Sequence, residues 1–333
     1  MSHGFVRVSA VCPKVVVGDP AANVTEMIRL LGGLQDSSVI VFPELCVTGY
    51  TCGDLFGQDH LLKTALKELL KFVKQVDNQL VFVGMPIVVE NALYNCAVAI
   101  NGREVIGVVP KSYLPNYKEF YEARWFHPAI TNNTPVRGEP HVKELRRPNL
   151  SLFGSRSVPF GNDLIFTFDN IKVFAEVCED IWMPIPPSSH AAIAGANILV
   201  NLSASNETVA KADYRRDLVV NQSARCMAAY IYSSCGPSES TSDLVFGGHC
   251  LIAENGSLLS ESNRVGNNVK LDSYSITQEI DVESLDHDRR QTTSFAYSPQ
   301  TYFRELKFYV PDYADVLRHR KVDRKSTRLN SSH

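Results

Sequence analysis

Three reactive side chains each stand directly behind a hydrophobic run: Glu44 in VIVFPELCVTGY, Lys111 in EVIGVVPKSYLPNYKEFYEARWF and Cys178 in IKVFAEVCEDIWMP. Each run is short and largely apolar, as a buried β-strand is. A carboxylate, an ammonium and a thiol brought to one edge of a sheet would make a site for nucleophilic attack on a C–N bond. A free cysteine has a pKa near ~8.5, so only a few per cent is thiolate at neutral pH and a base must activate it. No histidine flanks these strand ends. Glu44 can be that base, because burial raises a carboxylate's pKa and makes it a better proton acceptor. Lys111 would then stabilise the oxyanion, and backbone N–H groups after Cys178 could add to the hole. The covalent intermediate would be a thioester, hydrolysed by water that Glu44 deprotonates.

Taken singly, each residue has a plainer reading: a loop carboxylate, a small core thiol and a solvated surface charge. The pairs Pro43-Glu44 and Pro110-Lys111 set a charge against a proline immediately after a buried strand. That repeated arrangement favours a shared site.

The surrounding pattern alternates strands and helices. Strands are expected at Phe5–Cys12, Ser38–Phe42, Leu80–Val89, Ala92–Ile100, Glu104–Val109, Asp163–Phe168, Ile171–Val177, Ile198–Leu202, Ala229–Ser233, His249–Ala253 and Leu258–Glu261. Helical spacing is expected at Asn23–Leu34, Leu61–Val76, Ser188–Ala196 and Glu207–Ala229. Asn101-Gly102, Asp169-Asn170 and Asn255-Gly256 read as hairpin turns. The polar, proline-rich residues 127–162 read as a long excursion or lid. This is an α/β protein with helices covering sheet faces.

Bulk properties exclude several classes. The chain has 333 residues, 44% hydrophobic and 21% charged, with a net charge of −3 and a pI of about 6.3. Nothing basic points to nucleic acid, and no apolar run approaches the ~20 residues of a membrane helix. The N-terminus lacks a secretory layout. The eight cysteines show no CxxC pair and the nine histidines no HExxH or HxE pattern. Reduced cytoplasmic thiols and no metal are therefore expected. Strand and helix signals fade beyond about Phe308, and Lys325–His333 reads as a non-native tail.

The blocks FPELCVTGY, VPKSYLPNYKEFYEARWF and VCEDIW resemble the Glu, Lys and Cys blocks of the nitrilase, or carbon–nitrogen hydrolase, superfamily. With NLSASNETVAKADYRRDLV and STSDLVFGGHCLIAENG, the chain is similar to the N-terminal glutaminase domains of bacterial glutamine-dependent NAD+ synthetases, collinearly over roughly residues 4–310. The resemblance implies a four-layer α-β-β-α sandwich that pairs into dimers and higher oligomers. It implies Glu44 as general base, Lys111 as oxyanion partner, Cys178 as nucleophile and Glu122 as a second, orienting glutamate, with Glu119 competing for that role. It places Tyr50, Tyr117, Glu179, Ser205 and Lys211 around glutamine. Glu179 suits the α-ammonium, and Ser205 and Lys211 the α-carboxylate. The family often has arginine where Lys211 stands, and a lysine lacks its bidentate fork.

The same resemblance divides the chain into a carbon–nitrogen hydrolase domain at 1–310, the start of a linker at 311–324 and the tail at 325–333. No SGGxDS-like, GxGxxG or GxxxxGK[ST] phosphate loop occurs. ATP and Mg2+ would belong to a synthetase domain that this chain lacks, and the glutaminase part would need no cofactor. The expected activity is release of ammonia from L-glutamine for that synthetase domain. A stand-alone small-amide amidase and a non-catalytic oligomerisation scaffold are the alternatives.

Overall fold

The computed structural model describes residues 4–129, 143–145, 153, 157–264, 272–296 and 303–310. The excursion read at 127–162 falls largely outside these residues, and the linker and tail read beyond 310 fall wholly outside them. In chain order the first half runs β1 (Phe5–Cys12), α1 (Pro20–Gly32), β2 (Val39–Val41), α2 (Asp59–Val73), β3 (Leu80–Val89), β4 (Ala92–Asn101), β5 (Glu104–Pro110), β6 (Lys143–Leu145) and β7 (Val158–Phe160). The second half runs β8 (Leu164–Phe168), β9 (Ile171–Val177), α3 (Pro187–Ile193), β10 (Ile198–Ser203), α4 (Lys211–Cys226), β11 (Ala229–Ser234), β12 (Leu251–Glu254), β13 (Ser257–Glu261), β14 (Tyr274–Asp281), α5 (Val282–Gln291), α6 (Thr293–Ala296) and β15 (Arg304–Lys307).

These strands form two sheets. One has the order β14-β1-β2-β3-β4-β5-β7-β6, the other β13-β12-β11-β10-β9-β8-β15. Strand alternation divides the apolar residues between two faces. Val8, Val39, Leu80 and Phe82 of the first sheet meet Phe166, Val173, Val200 and Ile231 of the second in the central core. The opposite face of the first sheet, with Ile40, Val81 and Val83, packs on Met27 and Leu31 of α1 and Leu69 and Phe72 of α2. The opposite face of the second sheet, with Phe174, Leu199 and Tyr230, packs on Ala191 of α3 and Val219 of α4. The result is the expected α-β-β-α order of layers.

The turn read at Asn101-Gly102 sits one residue later: Asn101 ends β4, and Gly102 and Arg103, both with positive φ, make the loop to β5. Asn255 and Gly256, as read, form the loop between β12 and β13, also with positive φ. Such two-residue loops match the strand twist. Several elements differ from the sequence reading. Helix α4 begins at Lys211, not Glu207, because Ala210 is left-handed and Asn206 pairs instead with Phe246 as a β-bridge. Strand β12 begins at Leu251, not His249. The sheets also do not finish at Glu261. Strand β14 pairs antiparallel with β1, and β15 pairs parallel with β8. Their mixed, half-exposed faces carry too little apolar alternation to read as strands.

Candidate active site

The central strands run so that three chain segments emerge together. Strand β2 is parallel to β3, and two antiparallel steps through β4 make β5 parallel to both. Glu44 and Lys111 therefore leave the same edge of the first sheet. Strand β9 packs across β4 and β5 from the second sheet, and Cys178 follows it directly. The join is made by Asp180, whose carboxylate accepts the N–H groups of Ser112 at 3.1 Å, Tyr113 at 2.9 Å and Val177 at 2.9 Å. One buried side chain thus staples the residues after Lys111 to the residue before Cys178.

Lys111 is fully buried between two carboxylates. Its Nζ donates to Glu44 Oε1 at 2.6 Å and to Glu122 Oε1 at 2.7 Å. Asn95 Nδ2 also donates to Glu44 Oε1, at 2.6 Å, and the Tyr50 hydroxyl to Glu122 Oε1, at 2.8 Å. The other oxygens, Glu44 Oε2 and Glu122 Oε2, are buried with no hydrogen-bond partner among the described residues. Burial pushes Glu44 up to about 7 against the pull of Lys111 and Asn95. For Lys111, burial opposes the charged form, but Glu122 and Glu44 outweigh it and hold the lysine well above its ordinary pKa. The cluster thus pairs a permanent cation with a carboxylate that titrates near neutrality.

Cys178 stands at the start of a 3₁₀ turn, Cys178–Trp182, with φ of 43°. Burial and the charge of Glu44 raise its thiol well above the usual range, while Lys111 and the Ser203 hydroxyl draw it down. No histidine is among these influences. The Cys178 N–H donates to Asn201 Oδ1 at 3.1 Å, so it is committed to that side chain.

Cys178 opens on a cavity of about 560 Å³ lined also by Tyr117, Glu119, Phe120, Glu179, Trp182, Ser205 and Lys211. Tyr117 donates to Glu179 Oε1 at 2.7 Å. Lys211 Nζ bonds Asn206 Oδ1 and lies 5.5 Å and 5.3 Å from the ring centres of Phe120 and Trp182. Burial raises the Glu179 pKa and lowers that of Lys211. A ligand carrying both a cation and an anion would relieve both. Tyr50 does not line the cavity; its hydroxyl is spent on Glu122 behind Lys111. Glu122, not Glu119, is the carboxylate on Lys111. Glu119 instead accepts from Asn206 Nδ2 at 2.6 Å in the cavity wall.

This arrangement of Glu, Lys and Cys can be set against known proteins. The carbon–nitrogen hydrolase family matches residues 7–290. The chain belongs to that family. Among curated carbon–nitrogen hydrolase relatives, the glutamine-dependent NAD(+) synthetase of Mycobacterium tuberculosis (strain ATCC 25618 / H37Rv) is 37% identical over 336 residues, covering 97% of this chain and 47% of that protein. The human glutamine-dependent NAD(+) synthetase is 29% identical over 257 residues, covering 76% of this chain and 35% of that protein. This carbon–nitrogen hydrolase chain thus spans about half the length of the curated relatives it matches. Among solved structures, a glutamine-dependent NAD(+) synthetase from Cytophaga hutchinsonii superposes with a TM-score of 0.70 at 25% identity, over 83% of this chain and 43% of that one. Saccharomyces cerevisiae Nit3, a member of the nitrilase superfamily, superposes with a TM-score of 0.63 at 15% identity, over 90% and 97%. The second likeness is one of fold.

Several residues of this carbon–nitrogen hydrolase site carry no local signal. Asn95 lies inside the apolar strand β4 and Asn201 inside β10, where each reads as an isolated polar residue. A polar residue amid fully buried neighbours was the available clue, since such a group must find a partner. Arg215, fully buried in α4, donates to Ser205 Oγ at 3.2 Å and to the Asn206 carbonyl at 2.8 Å. Only the fold brings it to the cavity wall. Among the described residues, no cluster of three or more His, Cys, Asp or Glu side chains is arranged to hold a metal, and no helix is long and apolar enough to cross a membrane.

Proposed function

We propose that this chain hydrolyses L-glutamine to L-glutamate and ammonia, as the ammonia-releasing part of a glutamine-dependent NAD+ synthetase. The observation that carries the reading is the shared lysine: Lys111 lies within 2.7 Å of both Glu44 and Glu122, and its charge acts on a thiol that lines the cavity. The names of the relatives supply the substrate and the synthetase partner.

In this reading glutamine enters with its α-ammonium toward Glu179 and its α-carboxylate toward Lys211 and Ser205. Glu44 Oε2, the carboxylate oxygen without a partner among the described residues, takes the proton of Cys178 as sulfur attacks the side-chain carbonyl carbon. A resting thiol with a raised pKa fits such a transfer, because no standing thiolate is needed. The oxyanion is met by Lys111, and one such donor is commonly worth about 3–4 kcal/mol in the transition state. The proton on Glu44 passes to the departing nitrogen, which leaves as ammonia. Water, deprotonated by Glu44, then cleaves the thioester and restores the thiol. Each step uses side chains alone, without a cofactor.

The test is release of 15N-ammonia from amide-labelled glutamine, alone and with a synthetase domain supplied, with Cys178→Ala as control. Turnover that vanishes in the control supports the reading. No turnover under either condition defeats it, and preference for an uncharged aliphatic amide in a substrate panel would transfer the assignment to a small-amide amidase.

A further inference from the structure

The Cys178 backbone is held from behind by residues that do not touch the cavity. Its φ of 43° is uncommon for a residue with a side chain. Such a conformation persists only where its surroundings enforce it. Asn201 brackets the residue. Oδ1 accepts the Cys178 N–H at 3.1 Å, and Nδ2 reaches back to the Cys178 carbonyl at 3.4 Å. The same Nδ2 donates to the Tyr230 hydroxyl at 3.2 Å. The Tyr230 hydroxyl donates to Glu176 Oε1, and Glu176 Oε2 accepts the Ser188 N–H at 2.9 Å.

The direction of each bond fixes the next. If the Asn201 amide were flipped, its NH2 would face the Cys178 N–H, donor against donor. Tyr230 prevents the flip, because its oxygen is free to accept only while its proton is committed elsewhere. Glu176 accepts that hydrogen bond. Glu176 and Asn201 are register partners on neighbouring strands, and Tyr230 lies on the next strand over. All three are buried, Asn201 and Tyr230 completely. None lines the cavity.

We propose that Glu176, Tyr230 and Asn201 form a positioning chain that holds Cys178 in its left-handed backbone and so aims its thiol at the cavity. This rests on the reading of Cys178 as the nucleophile. Two measurements on the full chain test it: steady-state glutamine hydrolysis, and the rate at which iodoacetamide alkylates Cys178, followed by peptide mass spectrometry. Asn201→Ala is expected to lower kcat by about 100-fold, the scale of a slightly misplaced reacting group. Tyr230→Phe, which leaves the amide in place but free to flip, is expected to cost about tenfold. In both variants KM stays within about twofold and Cys178 alkylation slows, because the glutamine contacts are separate from the chain. The double variant is no worse than Asn201→Ala alone, since Tyr230 acts only through Asn201.

Additive losses, unchanged alkylation, or a loss confined to KM would each overturn the proposal. Should Asn201→Ala fail to fold, Tyr230→Phe and Glu176→Gln carry the same test, with equal and non-additive effects expected. If the wild type releases no ammonia while the variants still slow alkylation, the glutaminase reading fails and the positioning chain stands.

Discussion

The carboxylate of Asp180 accepts the backbone N–H of Tyr113 at 2.9 Å, across 67 residues of sequence. That bond, with those to Ser112 and Val177, ties the first sheet's lysine loop to the second sheet's cysteine turn. Asp180→Asn keeps the shape but turns one acceptor into an NH2 that must face an N–H. A buried donor left unsatisfied costs about 1–3 kcal/mol, so the midpoint of thermal unfolding should fall. Turnover should drop by at least about tenfold through kcat, because the lysine and the thiol lose their shared frame. A variant with wild-type kcat would show that the two loops are held by other contacts.

Glu44 makes activity and stability pull in opposite directions with pH. Its folded pKa of about 7 lies above the ordinary 4.5. As the proposed base, Glu44 must be ionised, so kcat/KM should rise with pH and level off above about 7. Between pH 4.5 and 7 the folded state binds the extra proton, so this group's contribution to stability falls as pH rises through that window. Glu44→Gln removes the penalty and leaves Lys111 paired with Glu122. The variant should be inactive, yet more stable than wild type by on the order of 1–3 kcal/mol at pH 8, with the difference vanishing near pH 4. Denaturant titrations at the two pH values measure it. A gap independent of pH would assign the change to packing.

The site was legible where it sat at strand ends and hidden where it lay within them. Glu44, Lys111 and Cys178 could be picked out because a polar residue after an apolar run breaks a simple pattern. Asn95 and Asn201 sit inside such runs, and their partners, Glu44 and the Cys178 backbone, are 51 and 23 residues away. Tyr50 was placed at the substrate by resemblance, but its hydroxyl is used on Glu122, a pairing across 72 residues that only the sheet order sets. The layers were legible from alternation in the central strands. Strands β14 and β15 were missed because an edge strand with mixed faces buries little and shows little.

Gly84 is the one glycine whose lack of a side chain the Glu44 turn demands. A Cβ there would lie 2.3 Å from the Leu45 nitrogen, 2.4 Å from the Pro43 carbonyl oxygen and 2.7 Å from the Glu44 carbonyl carbon. All three are backbone atoms, which cannot swing aside as a side-chain tip can. Gly84→Ala should therefore displace Glu44, costing about 1–3 kcal/mol by overpacking and at least about tenfold in kcat. Gly32→Ala, where nothing lies within 4 Å of the added carbon, is the matched control and should be neutral or mildly stabilising. Equal behaviour of the two variants would mean that the turn can shift freely against β3.

A glutamine-mimicking diazo-ketone should label Cys178 and no other thiol. All eight cysteines are buried, so burial does not choose among them. The competitors nearest in sequence to Glu44 are Cys46 and Cys52, and burial pushes both up to about 12. Their sulfurs point at backbone carbonyls, Cys46 at Gly84 and Cys52 at Thr48, and neither lines the cavity. Cys178 alone among the eight lines that cavity while feeling the charge of Lys111. Labelling must also protonate the diazo carbon before sulfur displaces N2, so Glu44→Gln should slow it by at least about tenfold, a loss typical of removing a general acid–base. An adduct mapped to Cys46 or Cys52 would remove Cys178 from the nucleophile's role, and a rate indifferent to Glu44 would remove Glu44 from the proton transfer.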